Sequence, residues 1–354
     1  MKVLLFSRYG SLGASSRVRY LQYLPYFRSQ GIDVLVSPLF SDDYLRALYQ
    51  RRTSWSKVIS GYGRRLMMLL SVRRYDVVII EKELFPFLPA IAERLLQMFG
   101  VSYIVDYDDA LFHRYDCHSS ALVRMILGRK IDVVMRHSNM VIAGNEYLAE
   151  RARQSCVPRV EIVPTVVDIE HYGPRKEVAN DIPIVGWIGT PKTSHYLHSL
   201  NPVFEALQEM MHVQFVAIGA RKEDLINTII EVWPWSEDTE VASIKKFDIG
   251  IMPLDDNPWE RGKCGYKLIQ YMACGLPVVA SPVGVNCLIV ASKKNGLLAN
   301  TLDEWQEALV YLLQTDISNR MSMGKKGHNF VKNWYSLQVQ APRLLKLLME
   351  AGRY

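Results

Sequence analysis

Short apolar runs separated by longer amphipathic segments recur along the whole chain, and this alternation limits the fold more than any other feature. The first half holds Val3–Ser7, Val34–Pro38, Val77–Ile80, Tyr103–Asp106, Met140–Ala143 and Val160–Val163. The second half holds Ile184–Ile188, Val213–Ile218, Phe247–Met252, Pro277–Ala280 and Gly296–Leu298, with helical patterns such as Leu200–Met210 between them. Runs this short suit buried strands, and their alternation with helices predicts βαβ units in parallel sheets. At 354 residues the chain exceeds the roughly 250–300 at which a single core stops growing. The expected fold is therefore α/β, with two Rossmann-like domains spanning residues 1–170 and 171–335. A C-terminal helix over 336–354 is expected to cross back to the first domain. The boundary falls in Asp168–Pro183, where Gly173, Pro174, a charged cluster and Asn180–Asp181 have the composition of an exposed linker. Open parallel sheets bind ligands beyond the carboxyl ends of their strands, so two facing sheets would place the chemistry in a cleft between them.

Several classes fall away on composition. Charged residues make up 22% of the chain, and no low-complexity tract or short repeat interrupts it, which excludes disordered and solenoid classes. Five cysteines, at 117, 156, 264, 274 and 287, include no C-x-x-C pair, so free thiols in a reducing cytoplasm are expected. The run in MKVLLFSRYG is too short for a signal-peptide core and reads as a first strand. No apolar stretch approaches the roughly 20 residues of a membrane span.

Charge is uneven. Residues 1–170 carry 23 Lys/Arg against 17 Asp/Glu, and residues 171–354 carry 19 of each. Much of the excess lies in Arg46–Arg74, where Arg51, Arg52, Lys57, Arg64, Arg65, Arg73 and Arg74 alternate with Trp55, Tyr62 and Leu66–Leu70. Such a segment is either a surface for an anionic membrane or a solvated helix pair whose apolar side faces the core. No nucleic-acid motif accompanies it.

Three motifs stand at ends of predicted strands. In SRYGSLGASSRVR, Gly10 and Gly13 permit a tight turn and Ser15 or Ser16 is placed to cap the next helix. The loop is either a turn or an anion site with Arg17 and Arg19 nearby as acceptor or phosphate candidates, and it lacks the G-x-G-x-x-G spacing of dinucleotide folds. In IVDYDDALF, a strand runs into Asp106, Asp108 and Asp109. Carboxylates there suit a cleft and suit orientation or deprotonation of a hydroxyl, although Asp109 also suits a cap. His113 lacks a spacing to them that demands a metal. In NPWERGKCGYKLIQYMACGLPVVASPVG, a loop enters a helix near Cys264–Tyr266, and Lys263, Lys267, Gln270 and Cys274 fall on one helical face. Two ammonium groups beside a helix N-terminus would hold a diphosphate, and Gln270 would reach a ribose.

The string Phe247–Pro253 followed by Lys263, Lys267 and Gln270–Ser281 resembles the donor-binding region of glycosyltransferase family 4. The likeness extends more loosely to Gly186–Thr190, Asp106–Asp109 and the opening glycine loop. It implies a GT-B fold, no bound metal or other cofactor, and retention of anomeric configuration. It further implies that Lys263 and Lys267 contact donor phosphates, with Gln270 on the ribose and Gly10 to Gly13 near the donor or acceptor. Asp108 stands where many members have a catalytic histidine, so Asp108, Asp109, Lys263 and Lys267 form the implied catalytic set. The family's paired glutamates, eight residues apart, match Gly262 and Gln270 here, and Glu260 is the candidate substitute. Gly189 and Thr190 follow the second domain's first strand, where Lys192 or His195 would supply a charge that the family takes from arginine.

The resulting expectation is a hexosyltransferase using a nucleotide-sugar donor and a saccharide or lipid-linked acceptor, in cell-envelope or polysaccharide biosynthesis. It would be cytoplasmic and peripheral on the inner face of the membrane, with an anionic membrane surface as a further partner and no nucleic acid. A nucleotide-sugar epimerase of the same fold and a catalytically inert partner protein are the alternatives.

Overall fold

A computed structural model describes residues 1–49, 52, 55–175, 180–291 and 293–352. Arg51, in the basic segment, and Lys176–Ala179, in the polar stretch, lie outside the described residues. The chain forms two compact units. The first comprises Met1–Val166, Gly262–Cys264 and Leu337–Tyr354, and the second Val167–Arg261 and Gly265–Ser336.

The first unit is built on β1 (Lys2–Phe6), β2 (Asp33–Val36), β3 (Val77–Glu81), β4 (Tyr103–Tyr107), β5 (Met140–Ala143) and β6 (Val160–Ile162), in the order β2-β1-β3-β4-β5-β6. Every pair is parallel. Alternate residues of one strand enter opposite cores, as the period of two requires. Leu4 and Phe6 pack with Val105, Leu96 and Leu127 on one face. Val3 and Leu5 pack with Tyr23, Phe27 and Leu344 on the other, where the C-terminal helix Leu337–Ala351 lies.

The second unit repeats the plan with β7 (Ile184–Ile188), β8 (Gln214–Ile218), β9 (Glu231–Trp233), β10 (Ile249–Met252), β11 (Val278–Ala280) and β12 (Gly296–Leu298), again all parallel, in the order β12-β11-β10-β7-β8-β9. Only β9 has no counterpart among the sequence-predicted strands. It is a three-residue edge strand with one exposed and two half-buried residues, so it has no apolar run to reveal it. In the centre, Gly186 of β7 pairs with Gly250 of β10. A Cβ at Gly186 would meet the Phe247 ring at 2.1 Å, and one at Gly250 would meet Tyr271 at 2.4 Å. The two glycines thus form a flat strip that admits both rings. Tyr271 accepts a hydrogen bond from Ile188 N at 2.8 Å and donates to Ile251 O at 3.2 Å, which ties the helix Tyr266–Ala273 to the sheet.

The start of the polar stretch, Asp168–Arg175, is a packed segment rather than an exposed linker. Asp168 caps the short helix Ile169–Tyr172, Tyr172 is buried, and Arg175 pairs with Asp248 at 2.9 Å. Local composition cannot register these partners because they lie about 70 residues away in the chain.

The basic segment also divides. In the helix Trp55–Leu69, Arg65 is buried and donates to Leu84 O at 3.2 Å, Ser37 O at 2.9 Å and Ser7 O. It joins the carboxyl ends of β1 and β2 to the loop after β3. Burial without a carboxylate bonded to it pushes its pKa down to about 9. Replacing Arg65 with Met leaves three carbonyls without this donor while removing a desolvated charge, with an expected net loss of about 3 kcal/mol. Urea unfolding checks this, and an unchanged midpoint would show that the carbonyls do not depend on the guanidinium.

Candidate functional site

In the first unit, parallel pairing brings the ends of β1, β3 and β4 to one edge of the sheet, where charged side chains accumulate. Lys82, directly after β3, places Nζ 2.9 Å from Asp108 Oδ1 and 3.6 Å from Asp109 Oδ2. Its backbone takes a φ of 70°, in the left-handed region that side chains other than glycine disfavour. Ser15 donates to Asp108 Oδ2 at 2.6 Å and to Glu81 Oε1 at 3.2 Å. Glu81, fully buried, also accepts from Ser16 Oγ at 2.6 Å and Arg8 N at 2.8 Å.

These contacts separate the behaviour of the two aspartates. Burial opposes ionisation of Asp108, but Lys82, Arg19 and the Ser15 hydroxyl outweigh it and hold its pKa below the ordinary aspartate value. Asp109 goes the other way: burial and the Asp108 carboxylate push it up, and Lys82 and Lys263 offset them only in part. About a third of the Asp109 side chain is open to solvent, so the proton it takes first is accessible. Burial likewise works against the Lys82 ammonium, and the two carboxylates overcome it to hold the lysine above its ordinary range.

The glycine loop is not an open anion cradle. Leu12 N donates to Asp42 Oδ1 at 3.0 Å and Ser11 Oγ to Asp42 Oδ2 at 2.8 Å. A Cβ at Gly10 would meet that carboxylate at 2.5 Å. The loop therefore binds an anion from its own chain. Neither serine caps the helix Ala14–Arg19, because both lie within it behind the cap residue Gly13, and their hydroxyls bond carboxylates instead. Arg19, expected as a phosphate ligand, is instead buried. Its guanidinium pairs with Asp106 and donates to Val163 O at 2.9 Å, a purely internal bond set. Arg17 is half-buried on the same helix.

The predicted single face of Lys263, Lys267, Gln270 and Cys274 does not form. The helix begins at Tyr266, behind Gly265 with a φ of 65°, so Lys263 precedes it. Residues Gly262–Cys264 belong to the first unit, where Asn145 Nδ2 donates to Gly262 O at 2.9 Å and Lys263 O at 3.0 Å. Cys264 donates to Asp108 O at 3.1 Å, and burial pushes its thiol up to about 12. Gln270 is buried and spends its amide nitrogen on Tyr172 Oη at 2.8 Å and Glu240 Oε1 at 2.9 Å, which removes that donor from any ribose. Local periodicity placed Gln270 on a face but held no sign of this network, whose other members lie 98 and 30 residues away.

In the second unit, the end of β7 gathers the rest. Lys267 Nζ lies 5.5 Å from the ring centroid of Trp187, and a Cβ at Gly189 would meet that ring at 2.3 Å. Thr190 N donates to Thr193 Oγ1 at 3.3 Å, fixing the turn that leads to Tyr196. Lys192 and His195 are exposed, and the His195 ring lies 4.0 Å from that of Tyr196. Tyr196 donates to Glu260 Oε1, while Glu260 Oε2 is buried with no hydrogen-bond partner among the described residues.

Sequence reasoning missed Glu81, Lys82 and Tyr196. The rule that singled out Asp108, a charge at the carboxyl end of an apolar run, applies equally to Glu81 and Lys82 after Val77–Ile80. Tyr196 carries no such signal, being one aromatic in a helical turn. Among the described residues, His113, Asp116 and Cys117 bring ligand-type atoms within 4.8 Å of one another. His113 is already bonded to Asp116 Oδ1 at 2.8 Å and Tyr147 Oη at 2.9 Å, and Asp116 pairs with Arg151 at 3.2 Å.

Residues 182–315 match the family described as glycosyl transferases group 1. Solved structures share the fold over nearly the whole chain. Sucrose-phosphate synthase from Thermosynechococcus elongatus has a TM-score of 0.73 at 14% identity, covering 99% of this chain and 98% of its own. HepE from Anabaena, in complex with UDP-glucose, has a TM-score of 0.70 at 13% identity, covering 99% and 100%. A UDP-forming α,α-trehalose-phosphate synthase from Burkholderia vietnamiensis has a TM-score of 0.66 at 12% identity, covering 99% and 98%. No curated protein sequence matches the chain. The fold is that of the GT-B glycosyltransferases, the second half of the chain carries a group 1 glycosyltransferase domain, and the protein is a glycosyltransferase.

The first unit's charge cluster yields a direct test. Replacing Lys82 with Met removes the nearest cation from both carboxylates and is expected to raise both pKa values. Carboxyl carbon-13 titration of aspartate-labelled protein checks this, and unshifted curves would show that Lys82 does not govern the pair.

Proposed function

We propose that this enzyme transfers a hexose-type sugar from a nucleotide-sugar donor to a saccharide or lipid-linked acceptor, as a retaining, metal-independent member of family 4. The observation that carries the reading is the match over residues 182–315, which contains the lysines and the buried Glu260 oxygen. Three of the similar structures are described as HepE bound to UDP, to UDP and glucose, and to UDP-glucose, which favours a uridine nucleotide as the donor carrier.

Glycosyl transfer leaves negative charge on the departing diphosphate while the anomeric carbon becomes oxocarbenium-like. Cations placed where that charge develops lower the barrier. Lys263 and Lys267 fill this role, and the residues after β7 bring a further positive group in Lys192. Glu260 Oε2 is a buried acceptor in want of a donor, and a sugar hydroxyl provides one, so Glu260 takes the place of the missing family glutamate. Asp108, kept ionised by Lys82 and Ser15, and Asp109, with its raised pKa, are suited to orient and deprotonate an acceptor hydroxyl. We assign the enzyme to polysaccharide or cell-envelope synthesis on the cytoplasmic face of a membrane, on the basis of the positive first half of the chain. No helix among the described residues is long and apolar enough to cross a bilayer.

A thermal-shift panel of UDP, GDP, ADP, CMP, dTDP and their sugars tests the donor site. Saturating ligand at a hundred times Kd adds about 2.7 kcal/mol to the folded state, so one nucleotide class is expected to raise Tm. Lys267→Ala is expected to abolish that shift and lower turnover by orders of magnitude while retaining the fold. No shift with any nucleotide overturns the donor assignment. Glu260→Gln is expected to raise KM for the donor sugar more than it changes affinity for the free nucleotide, as inhibition kinetics would show. Turnover is expected to survive EDTA, and loss restored by a divalent cation would overturn metal independence.

A further inference from the structure

Three helices cover one face of the first sheet: Trp55–Leu69, Ile91–Met98 and Ala121–Leu127. Met68, Leu96 and Leu127 turn inward, to the core that holds Phe6, Ile80 and Val105. What sets these helices apart is that their outer sides are apolar as well. Trp55, Ile59 and Met67 stand out from the first, Trp55 at 72% exposure. Ile91 and Met98 project from the second. Met125, at 76% exposure, and Ile126 project from the third.

The three elements adjoin through the loop after β3. Tyr62 Oη donates to Pro86 O at 2.7 Å, Arg73 lies 5.8 Å from the Phe99 ring, and Phe87 packs on Tyr115 and His118 in the segment leading to the third helix. Apolar surface this extensive on neighbouring elements marks an interaction face.

Charge identifies what covers it. Lys57, Arg64, Arg94 and Arg124 are exposed on the same three helices. The only carboxylate in their sequences is Glu93, which is buried and accepts from Leu84 N at 2.9 Å. A second copy would set one positive face against another. A nucleic acid would meet the cations and leave the methionines and Trp55 unused. Large apolar side chains interspersed with cations, with no exposed carboxylate on the three helices and the neighbouring exposed Asp43 paired with Arg46, match the boundary between acyl chains and anionic headgroups.

We propose that this three-helix face docks the enzyme on an anionic phospholipid bilayer. The proposal rests on the membrane-side reading above and extends it from the Arg46–Arg74 segment to two further helices. The apolar side chains enter the acyl boundary and the four cations meet headgroup phosphates. Arg65, bonded to carbonyls at the ends of β1 and β2, joins the docked face to the edge that carries Lys82 and the aspartates.

The test is co-sedimentation of the full chain with vesicles of phosphatidylcholine alone or mixed with phosphatidylglycerol, without donor or acceptor. Binding is expected on the mixed vesicles and not on the neutral ones, and it should weaken in high salt as screening shortens the electrostatic reach. Each cation near an anionic surface is worth roughly fivefold in partitioning, so Lys57→Glu/Arg94→Glu/Arg124→Glu is expected to weaken binding on the order of a hundredfold. Met67→Glu/Met98→Glu/Met125→Glu, which changes only exposed side chains, is expected to abolish it. No preference for anionic vesicles, or undiminished binding by both variants, overturns the proposal. So does a dimer in solution that the methionine variant dissociates, which would assign the face to a second copy. The nucleotide thermal shift, run on the same variants, confirms that they fold. If it is absent from wild type while vesicle binding persists, the donor assignment fails and the docking face stands.

Discussion

Parallel strand pairing is the constraint from which the chemistry of this enzyme follows. A parallel ladder sends every chain reversal through a crossover, so all strands of a sheet release their carboxyl ends at one edge. In the first unit this assembles Ser15, Glu81, Lys82 and Asp108 from positions up to 93 residues apart. In the second it carries the connection after β10 back to the end of β7, where Glu260 meets Tyr196 and Lys267 meets Trp187.

Such an edge is costly to build, because charges removed from water must find partners in the protein. The structure meets much of the cost with local ion-pair networks. Glu83, fully buried, is shared by Arg8, Lys130 and the Tyr115 hydroxyl. Asp106 is matched by Arg19. Arg19 of the second pair also helps to hold Asp108 ionised. Among the described residues, Glu260 Oε2 and Asp108 Oδ1 are buried carboxylate oxygens without a hydrogen bond; Asp108 Oδ1 has the Lys82 ammonium 2.9 Å away, and Glu260 lies within the segment that matches group 1 glycosyl transferases.

Most of the fold was legible in the sequence, since eleven of the twelve strands among the described residues announce themselves as apolar runs, and β9, with one exposed and two half-buried residues, has no such run. Within the candidate site, placement was legible where the signal is local: Asp108, Asp109, Lys267 and the Gly189 turn all sit at the end of a run or the start of a helix. It was illegible where a side chain's partner is distant. Arg19, Gln270 and the Gly10–Gly13 loop each have the chemistry of a ligand-binding group, and each is taken up by a residue elsewhere in the chain, namely Asp106, Tyr172 and Asp42. A polar group's chemistry can be read from sequence, but whether it is already engaged depends on tertiary structure.

The backbone of Lys82 has one more consequence. A side chain other than glycine in the left-handed region costs about 1–2 kcal/mol, and here that cost falls on the residue that sets the ionisation of the aspartates. Backbone and side chain therefore pull in opposite directions at a single position. A glycine would relax the chain but leave the buried Asp108 without its nearest cation, a larger cost than the strain it removes, so the ion pairs hold the lysine in a conformation its own backbone disfavours.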